Sequence, residues 1–77
     1  MTKQDKANAL VDALKQRTDN WGDCKFPRAR VWVGGERVRV YTGHASEYVE
    51  IDGDEYTASR VNMTWGADVE EAIESIS

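Results

Sequence analysis

Apolar positions near the start of the chain recur with helical spacing. Ala7, Leu10, Val11 and Leu14 stand at i, i+3, i+4 and i+7, one stripe of an amphipathic helix. Thr2 sits where an N-cap belongs, and Asp5 gives capping-box spacing with Asp in place of the usual Glu or Gln. Lys15 and Arg17 fall in the last turn, where cations suit the helix dipole. Residues 18–27, TDNWGDCKFP, are polar and carry Gly22 and Pro27. They read as a connecting loop, with Trp21 and Phe26 expected to tuck over the core edge.

The period then becomes two. ARVWV and ERVRV alternate on either side of Gly34-Gly35, the pattern of a hairpin closed by a type I′ turn, which needs positive φ at both central residues. A turn at that pair sets Val33 opposite Glu36, Val31 opposite Val38 and Ala29 opposite Val40. One face carries Ala29, Val31, Val33, Val38 and Val40. The other carries Arg28, Arg30, Trp32, Arg37, Arg39 and Tyr41.

EYVEI alternates again after a Thr42–Ser46 loop. Setting Tyr48 opposite Tyr41 brings Val49 to Val40 and Ile51 to Val38, while Glu50 meets Arg39 and Asp52 meets Arg37. Apolar and charged pairs fall into place together, which selects that register. Asp52-Gly53-Asp54 marks a further turn. Residues 55–63 supply a fourth strand, in which Tyr56, Ala58 and Val61 do not share one parity, so a bulge or change of face is expected.

ADVEEAIESIS returns to helical spacing through Val69, Ala72, Ile73 and Ile76. Asp68, Glu70 and Glu71 lie in its first turn, where carboxylates are favoured. Thr64 or Gly66 is the expected cap. Two helical stripes and one apolar sheet face imply an α+β fold. Its order is an N-terminal helix, a three- to four-stranded antiparallel β-meander and a C-terminal helix, with both helices on one face of the sheet. The opposite sheet face is left open. Similarity between Trp21-Gly22-Asp23 and Trp65-Gly66-Ala67-Asp68 rests on too few positions to be a repeat.

Length makes residues 1–77 a single domain with a small core. Leu, Ile, Val and Phe supply only 14 residues, yet the periodicity and three Trp and three Tyr argue for a folded chain. A core this thin also suits a homodimer or a partner complex. One cysteine excludes an intramolecular disulfide, which fits a reducing, cytoplasmic setting. No apolar run reaches the ~20 residues of a membrane span, and the charged first residues do not resemble a signal peptide. The net charge of −4 hides a split, because nine of the ten Lys and Arg precede residue 42 and nine of the fourteen acids follow it.

Candidate chemistry is sparse. One His and one Cys cannot build a closed zinc site, and no metal or cofactor is expected. Glu50, Asp52, Asp54 and Glu55 around Gly53 lack EF-hand spacing. Cys24 and His44 would need the fold to juxtapose them to act as nucleophile and base. No enzyme is expected and no catalytic residue is assigned. Arg28, Arg30, Trp32, Arg37, Arg39 and Tyr41 are instead the types found in binding hot spots. They are also the types found on single-strand nucleic-acid platforms. Glu50, Asp52, Asp54, Glu55, Glu70, Glu71 and Glu74 form a candidate acidic surface. A solvated, salt-bridged sheet face and helix face would use the same residues.

The expectation is a small non-enzymatic module that binds a protein partner. An inhibitor of a host nucleic-acid-processing complex from a phage or mobile element, such as an anti-CRISPR or a nucleic-acid mimic, fits its size and polarised charge. A single-stranded nucleic-acid binder is the second reading.

Overall fold

A computed structural model describes residues 1–77. Helix α1 runs Lys3–Lys15. Four strands follow: β1 Arg30–Gly34, β2 Arg37–Tyr41, β3 Tyr48–Asp52 and β4 Glu55–Ala58. Helix α2, Gly66–Ile76, ends the chain. The fold is α+β, with the strands in an antiparallel meander of order β1-β2-β3-β4.

Helix α1 begins as its sequence dictates. The Thr2 hydroxyl accepts from the Asp5 N–H, and the Asp5 carboxylate accepts from the Thr2 N–H, both at 3.1 Å. Donation from the Thr2 N–H, then the nearby Thr2 hydroxyl, holds the Asp5 carboxyl below its ordinary pKa. Ala7, Leu10 and Leu14 are buried beneath the helix.

The β2–β3 register is the expected one, with Val38 opposite Ile51, Arg39 opposite Glu50, Val40 opposite Val49 and Tyr41 opposite Tyr48. The first hairpin is shifted by two residues from expectation. Val33 lies opposite Val38, Val31 opposite Val40 and Trp32 opposite Arg39. Its turn is therefore Gly35-Glu36, with positive φ at Gly35 (63°) and not at Glu36. One positive φ at the first central position is the demand of a type II′ turn, not of type I′. A two-residue shift leaves side-chain parity unchanged, so every residue keeps its face. It also sets Arg30 opposite Tyr41, where a turn at Gly34-Gly35 would have set it opposite the like-charged Arg39.

Strand β4 is short and unbulged. It sets Tyr56 opposite Ile51 and Ala58 opposite Val49, so both take the core face. Val61 lies beyond the strand and is exposed, which removes the parity conflict. Val33 is half exposed despite its core-side parity. It stands near the tip of the edge hairpin, where burial is incomplete.

One apolar cluster fills the space between sheet and helices. It joins Ala7, Leu10 and Leu14 to Val38, Val40, Val49 and Ile51, with Val69 and Ala72 from α2. Phe26 and Ala29 close one end, and Phe26 has no exposed surface. Its burial stabilises the fold by roughly 1.5–3 kcal/mol. Helix α1 lies on β1, β2 and β3, and α2 packs antiparallel beside α1.

Folding also brings the basic and acidic halves together. Lys6 pairs with Asp54 at 2.9 Å, and Lys3 approaches Asp52 at 3.8 Å. At the other end of α1, Asp68 binds Arg17 at 2.9 Å and Lys25 at 2.8 Å, while Arg17 also bonds Glu71. Cations at the end of α1 thus meet acids at the start of α2, serving both dipoles. Neither Thr64 nor Gly66 caps α2. Trp65 holds the N-cap position with φ 56°, and no side chain caps the helix there. The buried Glu47 carboxylate accepts from the preceding Thr64 N–H instead.

Candidate binding face

The outer face of the sheet is organised in three rows by strand pairing. Arg30, Tyr41 and Tyr48 form the first. Trp32, Arg39, Glu50 and Thr57 form the second. Gly34 and Arg37 on one hairpin, then Asp52 and Glu55 on the next, form the third. No helix covers these rows, since α1 and α2 occupy the other side.

Arginine and aromatic groups interleave there. The Arg39 guanidinium sits 5.0 Å from the centre of the Trp32 ring and 4.4 Å from that of Tyr48. Its Nε donates to Glu50 at 2.9 Å. Arg30 lies 4.9 Å from the Tyr41 ring, and Tyr41 and Tyr48 are tilted against each other at 5.4 Å. Three cation–π contacts and one aromatic pair thus link Trp32 through Arg39, Tyr48 and Tyr41 to Arg30. Glu50 holds Arg39 more firmly protonated, and Arg39 lowers the Glu50 pKa in return.

The six expected partner-binding residues do not all join this array. Arg30, Trp32, Arg39 and Tyr41 do. Arg37 lies on the same face but forms no ion pair, because Asp52 turns toward Lys3. Arg28 precedes β1 in a turn where the Ala29 N–H donates to the Phe26 carbonyl. It is exposed beside Gly43, outside the ladder. Sequence reasoning missed the part played by Gly34, whose bare backbone makes room for the Trp32 ring. Same-face i, i+2 spacing was the available signal.

The expected acidic surface is dispersed. Glu50 faces outward beside Arg39, Asp54 pairs with Lys6, and Glu71 pairs with Arg17. Asp52 and Glu55 share one row of the sheet. Glu70 and Glu74 are exposed on α2 without ion pairs. No group of three or more His, Cys, Asp and Glu is placed to hold a metal ion.

Cys24 and His44 serve separate local bonds. The Cys24 thiol donates to the Lys15 carbonyl at 3.2 Å. His44 Nε2 lies 2.8 Å from the Lys25 carbonyl, so it must carry the donated proton. The imidazole is edge-on to Phe26 with centroids 5.5 Å apart. It is a partly buried brace for the loop.

Trp21 departs furthest from expectation. It is 88% exposed, whereas Phe26 is buried. Asp19 Oδ1 accepts from the Trp21 and Asp23 N–H groups at 2.8 and 2.9 Å, and Thr18 bridges Cys24. These bonds satisfy a tight loop whose geometry turns the indole outward. Trp65 is less exposed, with Lys25 Nζ 4.5 Å from its ring centre.

Comparison with protein-family models, curated proteins and solved structures gave no match to this chain.

Proposed function

We propose that this domain is a non-enzymatic protein-binding module whose contact surface is the outer face of the sheet. The carrying observation is the run Trp32–Arg39–Tyr48–Tyr41–Arg30 on an uncovered four-stranded sheet. Trp, Tyr and Arg dominate binding hot spots because each joins a large apolar area to a polar group. Side chains already packed against one another lose less freedom on association.

A protein partner is favoured over single-stranded nucleic acid. Bases stack on free ring faces, but Arg39 lies against Trp32 and Tyr48, and Gly34 underlies the Trp32 indole. A net charge of −4 also opposes a polyanion. An inhibitor of a nucleic-acid-processing complex would act through this face. A carboxylate mimic has less support, since Glu50, Asp54 and Glu71 are engaged within the fold.

Immobilised chain should capture a defined protein from a lysate of its source cells, and Trp32→Ala and Arg30→Glu should each lose it while remaining folded. In a Trp21→Phe, Trp65→Phe background, oligonucleotides at low salt should leave Trp32 fluorescence unchanged. Salt-reversible quenching would shift the reading to nucleic acid.

A further inference from the structure

The fold sorts its cations. Lys3, Lys6, Arg17 and Lys25 find carboxylates at the sheet end or between the helices. On the outer face only Arg39 does so, leaving Arg30 and Arg37 without ion pairs. Across that same face the acids collect on the other two strands. Asp52 and Glu55 stand opposite each other at the end of the β3–β4 hairpin. Glu55 has no ion pair, and Asp52 keeps 78% of its side chain exposed with only the long approach to Lys3. The outer face is therefore divided lengthwise, basic over β1 and β2 and acidic over β3 and β4.

Such a face is complementary to itself. We infer that its partner is a second copy of this chain, laid sheet against sheet about a two-fold axis parallel to the strands. This rests on the outer face being the binding surface. That axis turns the second copy over, exchanging β1 with β4 and β2 with β3 while keeping the three rows in step. Arg37 then faces Asp52 of the second copy with Glu55 diagonally beside it over Gly34, Tyr41 faces its Tyr48, and Trp32 faces its Thr57. Both copies gain the same contacts, as an isologous interface requires. An axis across the strands would instead lay the basic half on the basic half. The division of charge selects the first arrangement.

Area sets the strength. Four strands about 4.8 Å apart, three of five residues and one of four, give a footprint of roughly 300 Å² per copy, well below the ~1,200 Å² in total of a stable complex. The dimer is weak and reversible, and charge pairing makes it sensitive to salt.

Sedimentation of the full chain, at low and high salt, tests this. The unsubstituted chain should move from monomer to dimer as concentration rises, and high salt should reverse the change. Arg30→Glu with Arg37→Glu leaves Arg39 as the one cation of these strands' outer face and makes the face predominantly acidic, and Asp52→Lys with Glu55→Lys makes it predominantly basic. Each double variant, checked for folding by circular dichroism, should associate at least about tenfold more weakly with itself. An equimolar mixture of the two should recover a heterodimer. A chain that stays monomeric at millimolar concentration overturns the inference, as does a dimer indifferent to both double variants. A monomer that still captures a different protein through Trp32 would sink the second copy and leave the binding face standing.

Discussion

The Trp32 indole lies over Gly34: a β-carbon at Gly34 would stand 2.2 Å from Cη2 of the ring and 2.6 Å from Cζ2. Such separations are far inside van der Waals contact. Gly34→Ala must therefore move the indole, and the indole is what Arg39 stacks on. Alanine suits a strand better than glycine, which offsets part of the lost packing. Stability should stay within about 1 kcal/mol of the parent. The Trp32 emission of a Trp21→Phe, Trp65→Phe chain should nevertheless shift to the red, and binding through the outer face should weaken.

Gly43 presents the opposite case. Its φ is 89°, and a β-carbon there would lie 2.8 Å from the Arg28 β-carbon and 3.1 Å from the Arg28 carbonyl carbon. Here the obstacle is backbone, which cannot swing aside. Gly43→Ala should destabilise the fold by about 1–3 kcal/mol, read as a lower urea midpoint with an unchanged m-value.

Asp68 joins three segments through one carboxylate, bonding Lys25, Arg17 and, through Arg17, the Glu71 side of α2. The bond from Lys25, then that from Arg17, holds its carboxyl below the ordinary value of 3.8. A depressed folded pKa contributes stability that is complete above the unfolded value and is lost as pH falls through the folded one. Asp68→Asn should cost about 1–2 kcal/mol at neutral pH. Its acid unfolding curve below pH 3.8 should be flatter than the parent's.

The exposed Trp21 and the buried logic of its loop separate cleanly. Trp21→Ala should change stability by no more than about 0.5 kcal/mol. Asp19→Ala removes the acceptor of two backbone N–H groups and should cost about 1 kcal/mol. It should also open residues 19–23 to limited proteolysis, which Trp21→Ala should not.

These details show where the sequence was readable. The β2–β3 register could be read because Val38, Val40, Val49 and Ile51 align only when Arg39 also meets Glu50. In the first hairpin, glycine chemistry suggested a turn one residue away from the one formed, which moves the strand register by two. Faces survived because the error was even. Trp21 was misplaced because hydrophobicity pointed inward while Asp19 fixed the backbone outward, and a turn made by a side chain has no periodicity. The start of α2 was hidden for a related reason. Its neighbouring anion, Glu47, lies 17 residues upstream of Thr64 and meets it only in the folded chain. The outer-face residues could be named from alternation, whereas their stacking on Gly34 and division of charge needed the neighbouring strands.

Helix α2 rests along α1, with only Val69 and Ala72 fully buried and no side-chain cap. Its attachment is a narrow seam fastened by ion pairs at one end. Such a segment can lift away as a separate unit while the meander and first helix stay closed. Native-state deuterium uptake should therefore reach the amides of residues 69–76 well before those of Val40 and Val49. The least protected part of the molecule would then lie on the side opposite its binding face, so the two surfaces can change independently.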